Sequence, residues 1–137
     1  MASSSNWPLR SPPSAKASAL DKLAGKRVLI VEDEMLVALL IEDFILQLGC
    51  EIVGMAMRLE PALDLARTID IDVAILDINL AGKPSFPVAE ILQARGIPFV
   101  FASGYGAAGL DGSGISAPVL QKPFDVGDVR RLLTAAL

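Results

Sequence analysis

Five short apolar runs, each followed by a stretch with helical spacing, constrain this 137-residue chain more than any other feature. Arg27 to Val31 is a continuous run rich in β-branched residues, of the kind buried on both faces of a sheet. A helix is expected from about Glu34 to Leu48, with Met35, Leu36, Leu39, Leu40, Phe44 and Leu48 at mostly helical spacing and Gly49 as its stop. Glu51 to Met55 reads as a second strand, made less regular by Gly54, and Glu60-Pro61 opens a helix reaching about Thr68. Asp72 to Leu76 is the third strand, ending at Asp77, followed by a helix over Phe86 to Arg95 that Gly96 closes. The fourth strand is Ile97 to Phe101, with Pro98 tolerable near its start. Ala117 to Gln121 is the fifth, and Asp125 caps a last helix through Val129 and Leu133. Such alternation predicts an α/β domain with a doubly wound, five-stranded parallel sheet.

Between the fourth and fifth strands, Gly104 to Ser116 holds Gly104, Gly106, Gly109, Gly112 and Gly114, so a helix there should be short or frayed. At the other end, Met1 to about Asp21 is rich in Ser and Pro without an apolar period and is expected to be disordered. Pro8, Pro12 and Pro13 would interrupt the apolar region of a signal peptide. Trp7 lies in this extension and reads as a solvated bystander rather than a partner anchor. The expected division is therefore an extension over 1–25 and one domain over 26–137.

Charge and residue types then exclude whole classes of function. Twelve Lys and Arg against sixteen Asp and Glu give a net charge of -4, and beyond residue 25 the balance is nine basic to fifteen acidic residues, about -6. An electrostatic grip on nucleic acid or an anionic membrane is disfavoured. Every apolar run is shorter than the roughly 18 residues of a membrane span. Cys50 is the one cysteine, which allows no internal disulfide, fits a reducing cytoplasmic compartment and reads as a small buried filler. With no histidine, Ser-His-Asp and Cys-His catalysis and His-ligated zinc or haem are all excluded. Carboxylates, hydroxyls and lysines remain, which suit oxygen-ligated cations and phosphoryl transfer.

In a doubly wound sheet the site lies outside the carboxyl ends of the strands. Those ends carry Glu32 and Asp33 after the first strand, Asp77 after the third, Ser103 after the fourth and Lys122 after the fifth. Three carboxylates brought together repel, and a divalent cation relieves them; an oxygen-rich shell without His or Cys favours Mg2+, with Mn2+ also fitting. A lysine and a hydroxyl beside it complete a phosphate cradle. Taken singly, a strand ending in Asp often does no more than cap the next helix. Lys122-Pro123 admits a cis peptide that would aim the lysine into the site, with trans the commoner state of such bonds.

From about Lys26 to Leu137 the sequence resembles the receiver domains of two-component response regulators. The resemblance is carried, in order, by Val28-Leu29-Ile30-Val31-Glu32-Asp33-Glu34, Ile75-Leu76-Asp77-Ile78-Asn79-Leu80, Phe101-Ala102-Ser103-Gly104 and Gln121-Lys122-Pro123-Phe124. The segment Pro98 to Tyr105 further resembles the FATGUY subgroup, commonly stand-alone receivers, with Ser103 where Thr is usual. The resemblance implies a flavodoxin-like (βα)5 fold and a single-domain regulator working through phosphorylation-dependent protein contacts rather than as an enzyme.

It also assigns roles. Asp77 corresponds to the aspartate that accepts a phosphoryl group from the phosphohistidine of a sensor histidine kinase or histidine phosphotransfer protein. Glu32 and Asp33 correspond to the acidic pair that holds Mg2+, completed by Asp77 and the Asn79 backbone carbonyl. Glu32 stands where Asp is commoner and adds a methylene, altering the geometry of that site. Lys122 corresponds to the lysine that pairs with the phosphoryl oxygens, and Ser103 to the hydroxyl that moves to bond one of them. Most receivers also have Tyr or Phe three residues before the lysine; here Val119 stands there, so that aromatic switch is absent. Tyr105, two residues after Ser103, is the candidate replacement, moving with the glycine-rich loop, against a plain surface tyrosine. Asn79 and Tyr105 also flank the expected path of an attacking water.

Two other readings compete. A pseudo-receiver would bind a partner without phosphate, against which Asp77, Ser103 and Lys122 all count. A Mg2+-dependent phosphohydrolase of the haloacid dehalogenase type also uses a strand-end aspartate, but it needs a second Asp two residues on, where this chain has Asn79. A downstream target protein is expected, and a nucleic-acid or membrane target is not.

Overall fold

The computed structural model describes residues 22–137, so Trp7 and most of the Ser/Pro-rich extension lie outside the described residues. Along the chain run β1 (Arg27–Val31), α1 (Met35–Gln47), β2 (Glu51–Ala56), α2 (Leu59–Thr68), β3 (Val73–Asp77), β4 (Asn79–Leu80), β5 (Lys83–Pro84), α3 (Phe86–Ala94), β6 (Phe99–Ser103), β7 (Val119–Gln121) and α4 (Val126–Ala136). Five strands form one parallel sheet in the order β2-β1-β3-β6-β7. This is the flavodoxin-like, doubly wound arrangement expected from the alternation.

Successive residues of each buried strand face opposite sides, and that period of two splits the core in half. Leu29, Val31, Ala74, Leu76, Phe99 and Phe101 pack with α2 and α3. Val28, Ile30, Val73, Ile75, Val100, Ala102 and Leu120 pack with α1 and α4. Phe99 and Phe101 are core residues, as expected, and Phe86 packs against them: the Phe101 ring meets Phe99 at 5.5 Å and Phe86 at 6.0 Å, both edge-on. Packing reaches back past residue 26, because Leu23 is fully buried and its carbonyl lies 3.2 Å from the buried Cys50 sulfur.

Local sequence explains several details. Gly54 sits where a side chain would crowd Ile69, Leu65 and Leu29 at 3.1 to 3.3 Å, and the β1–β2 register slips by one residue nearby. Asp125 caps α4 by accepting from the Asp128 N–H at 2.9 Å, while the Asp128 carboxylate accepts from the Asp125 N–H, a reciprocal capping box. The expected fourth and fifth strands are trimmed, since Ile97, Pro98, Ala117 and Pro118 precede the paired residues. In the glycine-rich segment the chain makes only a 3-10 helix, Gly106–Leu110, in line with the expected short or frayed helix.

On α1 the buried residues are Ala38, Ile41 and Ile45, whereas Met35, Leu36, Leu39 and Leu40 of the expected apolar stripe point outward with Leu46. The helix is apolar on most of its circumference, so spacing alone did not identify the inward face. A second departure is the hairpin of β4 and β5, which follows Asp77 and turns at Ala81 (φ 52°) and Gly82 (φ 88°). No helix among the described residues is long and apolar enough to cross a membrane.

Candidate phosphoacceptor and metal site

The strand order reverses between β1 and β3, and a crevice opens there because the following connections leave to opposite sides. The β1 end brings Glu32 and Asp33 to it and the β3 end brings Asp77. One carboxylate oxygen from each lies within 4.8 Å of the others. Lys122, directly after β7, reaches across, with Nζ 3.0 Å from Glu32 Oε1, 3.2 Å from Asp77 Oδ2 and 3.8 Å from Glu34 Oε1. The Lys122–Pro123 peptide bond is cis. Ser103 ends β6 and is buried, and its Oγ accepts from the Tyr105 N–H at 3.0 Å.

Main-chain amides fix the carboxylates. Glu32 Oε2 accepts from the Glu34 N–H at 3.1 Å, and Asp33 Oδ2 accepts from the Ala81 N–H at 2.9 Å, which ties the hairpin turn back to β1. The Asn79 N–H points at Asp77 Oδ1 at 3.4 Å, and the Asn79 side chain accepts from the Gly82 N–H at 2.8 Å.

Glu32 is only 1% exposed, and burial, followed by its contact with Asp77, pushes its carboxyl up to about 8 against the opposing pull of Lys122. Burial would also raise Asp33, but hydrogen bonds led by the Ala81 amide outweigh it and hold that carboxyl below its usual value. The Lys122 ammonium is likewise opposed by burial, and Glu32 and Asp77 together hold its pKa above the ordinary lysine value. Glu32 Oε1 lies close to Lys122 yet has no well-directed hydrogen-bond donor. A buried carboxylate oxygen without a directed donor, next to two further carboxylates, fits a hard divalent cation.

The family model for the response regulator receiver domain matches residues 28–134. This chain belongs to that family. Among relatives, the transcriptional regulatory protein PdtaR of Mycobacterium tuberculosis is 30% identical over 113 residues, 80% of this chain and 55% of PdtaR, so the chain spans about half of that relative's length. The solution structure of SdrG from Sphingomonas melonis Fr1 is 43% identical with a TM-score of 0.71, covering 84% of this chain and 98% of that one. The response regulator PhyR from Brucella abortus is 31% identical with a TM-score of 0.74, covering 93% of this chain and 54% of that one.

Within the receiver, Glu32, Asp33, Asp77 and Lys122 come together as the sequence reading expected. Tyr105 does not join them: it is 83% exposed, and only its backbone N–H reaches a site residue. Sequence reasoning missed the Ala81 amide, which belongs to a hairpin too short to leave a periodic signal. It also missed the approach of Glu34 to Lys122, since the sequence places Glu34 at the helix start and in the first matching motif without giving it a role.

Proposed function

We propose that this receiver accepts a phosphoryl group on Asp77 from the phosphohistidine of a sensor histidine kinase or histidine phosphotransfer protein, and signals through a protein partner. The observation that carries the reading is the Lys122 ammonium 3.2 Å from Asp77, in a crevice where Glu32 and Asp33 complete an acidic triad. An Asp77 carboxylate oxygen attacks phosphorus in line, the P–N bond breaks, and the imidazole leaves with the bonding pair and takes a proton from solvent. Asp77 needs no general base because a carboxylate oxygen attacks through its own lone pair with no proton to lose. Lys122 stabilises charge on the phosphoryl oxygens, and Ser103 bonds one of them afterwards. Glu32, Asp33, Asp77 and the Asn79 backbone carbonyl would hold Mg2+, which supplies charge neutralisation at the transferring group.

The exposed side of α1 supports a helical donor. Leu36, Leu39, Asp43 and Leu46 recur at intervals of three and four, the seam spacing of a helix packed on helices, and Leu36 is 82% exposed. Beside that seam, Val37 and Leu40 of α1 line a groove with Lys122, Pro123 and Phe124, which includes the site lysine. Glu34, Glu42 and Asp43 make the surface acidic, which suits a basic rim on the partner.

Phe101-Ala102-Ser103-Gly104-Tyr105 supports placement in the FATGUY-type subgroup. The 98% coverage of the solved SdrG chain supports a stand-alone receiver over 26–137, with 1–25 as an extension, and the free, buried Cys50 suits a reducing cytoplasm. Neither catalytic turnover nor a nucleic-acid target is part of this reading.

The test is intact mass after incubation with Mg2+ and acetyl phosphate. A gain of one phosphoryl group is expected, lost in Asp77→Ala and with chelator. No adduct and no Asp77-dependent phosphate release would favour the pseudo-receiver. Sustained turnover of varied phosphomonoesters would favour the phosphohydrolase.

A further inference from the structure

Ser103 is covered by the 3-10 helix Gly106–Leu110, and Gly109 lies directly against it. A methyl built on Gly109 would fall 2.9 Å from Ser103 Oγ and 2.7 Å from Ile78 Cδ1, closer than nonbonded atoms come. Gly109 does not have the positive φ that calls for glycine, so space rather than backbone conformation demands it. Gly104, in the same loop, has nothing within 4 Å of a built methyl. The two side chains meeting Gly109 come from the ends of the neighbouring strands β3 and β6. Ile78 directly follows Asp77, and its N–H donates to the Ala102 carbonyl at 3.2 Å; Ser103 directly follows Ala102.

We propose that Gly109 is a positioning residue whose bare Cα lets the 3-10 helix close over Ser103 and keep its hydroxyl on the Tyr105 amide in the unphosphorylated protein. A side chain at 109 must displace Ser103 Oγ or lift the helix, and either movement breaks the cover over that bond. Both contacts are made by side-chain ends, and swinging Ile78 aside relieves only one of them, so the Ser103 contact has to give as well. Gly109 thereby sets how readily the loop carrying Tyr105 is released. The inference rests on the proposed role of Ser103 in bonding the phosphoryl group, which would draw the same hydroxyl away from the loop.

The experiment is amide hydrogen exchange at Tyr105, read by NMR on the described fold with the full chain, without phosphodonor. Gly109→Ala should exchange at Tyr105 at least about tenfold faster than wild type, while Gly104→Ala stays within about twofold. Ser103→Ala removes the acceptor and should expose the same amide, which keeps the test decisive if Gly109→Ala folds poorly. A Tyr105 amide as protected in Gly109→Ala, or in Ser103→Ala, as in wild type overturns the proposal. Phosphorylation of each protein by acetyl phosphate is measured alongside. A wild type that takes up phosphate with no Gly109 effect overturns this inference alone. A wild type that takes up none, with the Gly109 effect present, overturns the phosphoreceiver reading and leaves the packing role of Gly109 supported.

Discussion

The Lys122 ammonium lies between two carboxylates, 3.0 Å from Glu32 and 3.2 Å from Asp77, so one cation offsets the repulsion at both strand ends. Replacing it by methionine keeps most of the apolar stem and removes the charge. Lys122→Met should lose about 1 to 2 kcal/mol of stability at pH 9 by leaving buried carboxylates uncompensated, and recover much of it at pH 6.5, below the raised Glu32 value of about 8. Chemical denaturation at the two pH values checks this. Phosphoryl uptake from acetyl phosphate should fall at least about tenfold, one charge-assisted contact being worth at least 1.4 kcal/mol at the transition state.

Glu32 sets the expected pH behaviour. Its carboxyl is raised from 4.5 to about 8, chiefly by burial, so between those values the folded protein keeps a proton that the unfolded chain has lost. The metal-free protein should therefore lose stability as pH rises through that window and level off above about 8. Divalent binding favours the ionised carboxylate, so Mg2+ affinity should climb towards tenfold per pH unit below about 8 and then flatten. Calorimetric titration in buffers of different ionisation enthalpy should register release of about one proton per Mg2+ at pH 7.

The seam on α1 is predicted to matter for the donor and little for the fold. Leu36→Glu with Leu39→Glu should change stability by no more than about 0.5 kcal/mol per site, since both side chains face solvent. Phosphorylation by acetyl phosphate should be unchanged, whereas transfer from a helical phosphohistidine donor should drop at least about tenfold. Single-turnover transfer assays with both donors separate the two effects.

Gly54 should tolerate no side chain without cost. Gly54→Val would press on Leu29, Leu65 and Ile69 together, and overpacking of this kind costs about 1 to 3 kcal/mol. A lowered denaturation midpoint with an unchanged slope is the expected outcome.

Much of this molecule was legible because the buried strands are short and continuous. Asp77, Ser103 and Lys122 could be placed together once each was recognised as the residue ending or following such a run. The inward face of α1 was not legible, because its leucines all lie outward while a small residue, Ala38, lies inside with Ile41 and Ile45. Nor was the β4–β5 hairpin, whose two-residue strands are shorter than any detectable period. The role of Gly109 escaped for a different reason: five glycines in one segment look alike until their neighbours in space are known. The high pKa of Glu32 depends on a burial that its place in the chain only hints at.

The hydrogen bond from the Ala81 amide to Asp33 gives this protein an intrinsic gauge. Any ligand that draws charge from the Asp33 carboxylate weakens that bond, which ties the hairpin turn back to β1. The chemical shift of one proton, far from Tyr105 in sequence, would therefore record occupancy of the acidic crevice separately from the state of the glycine-rich loop.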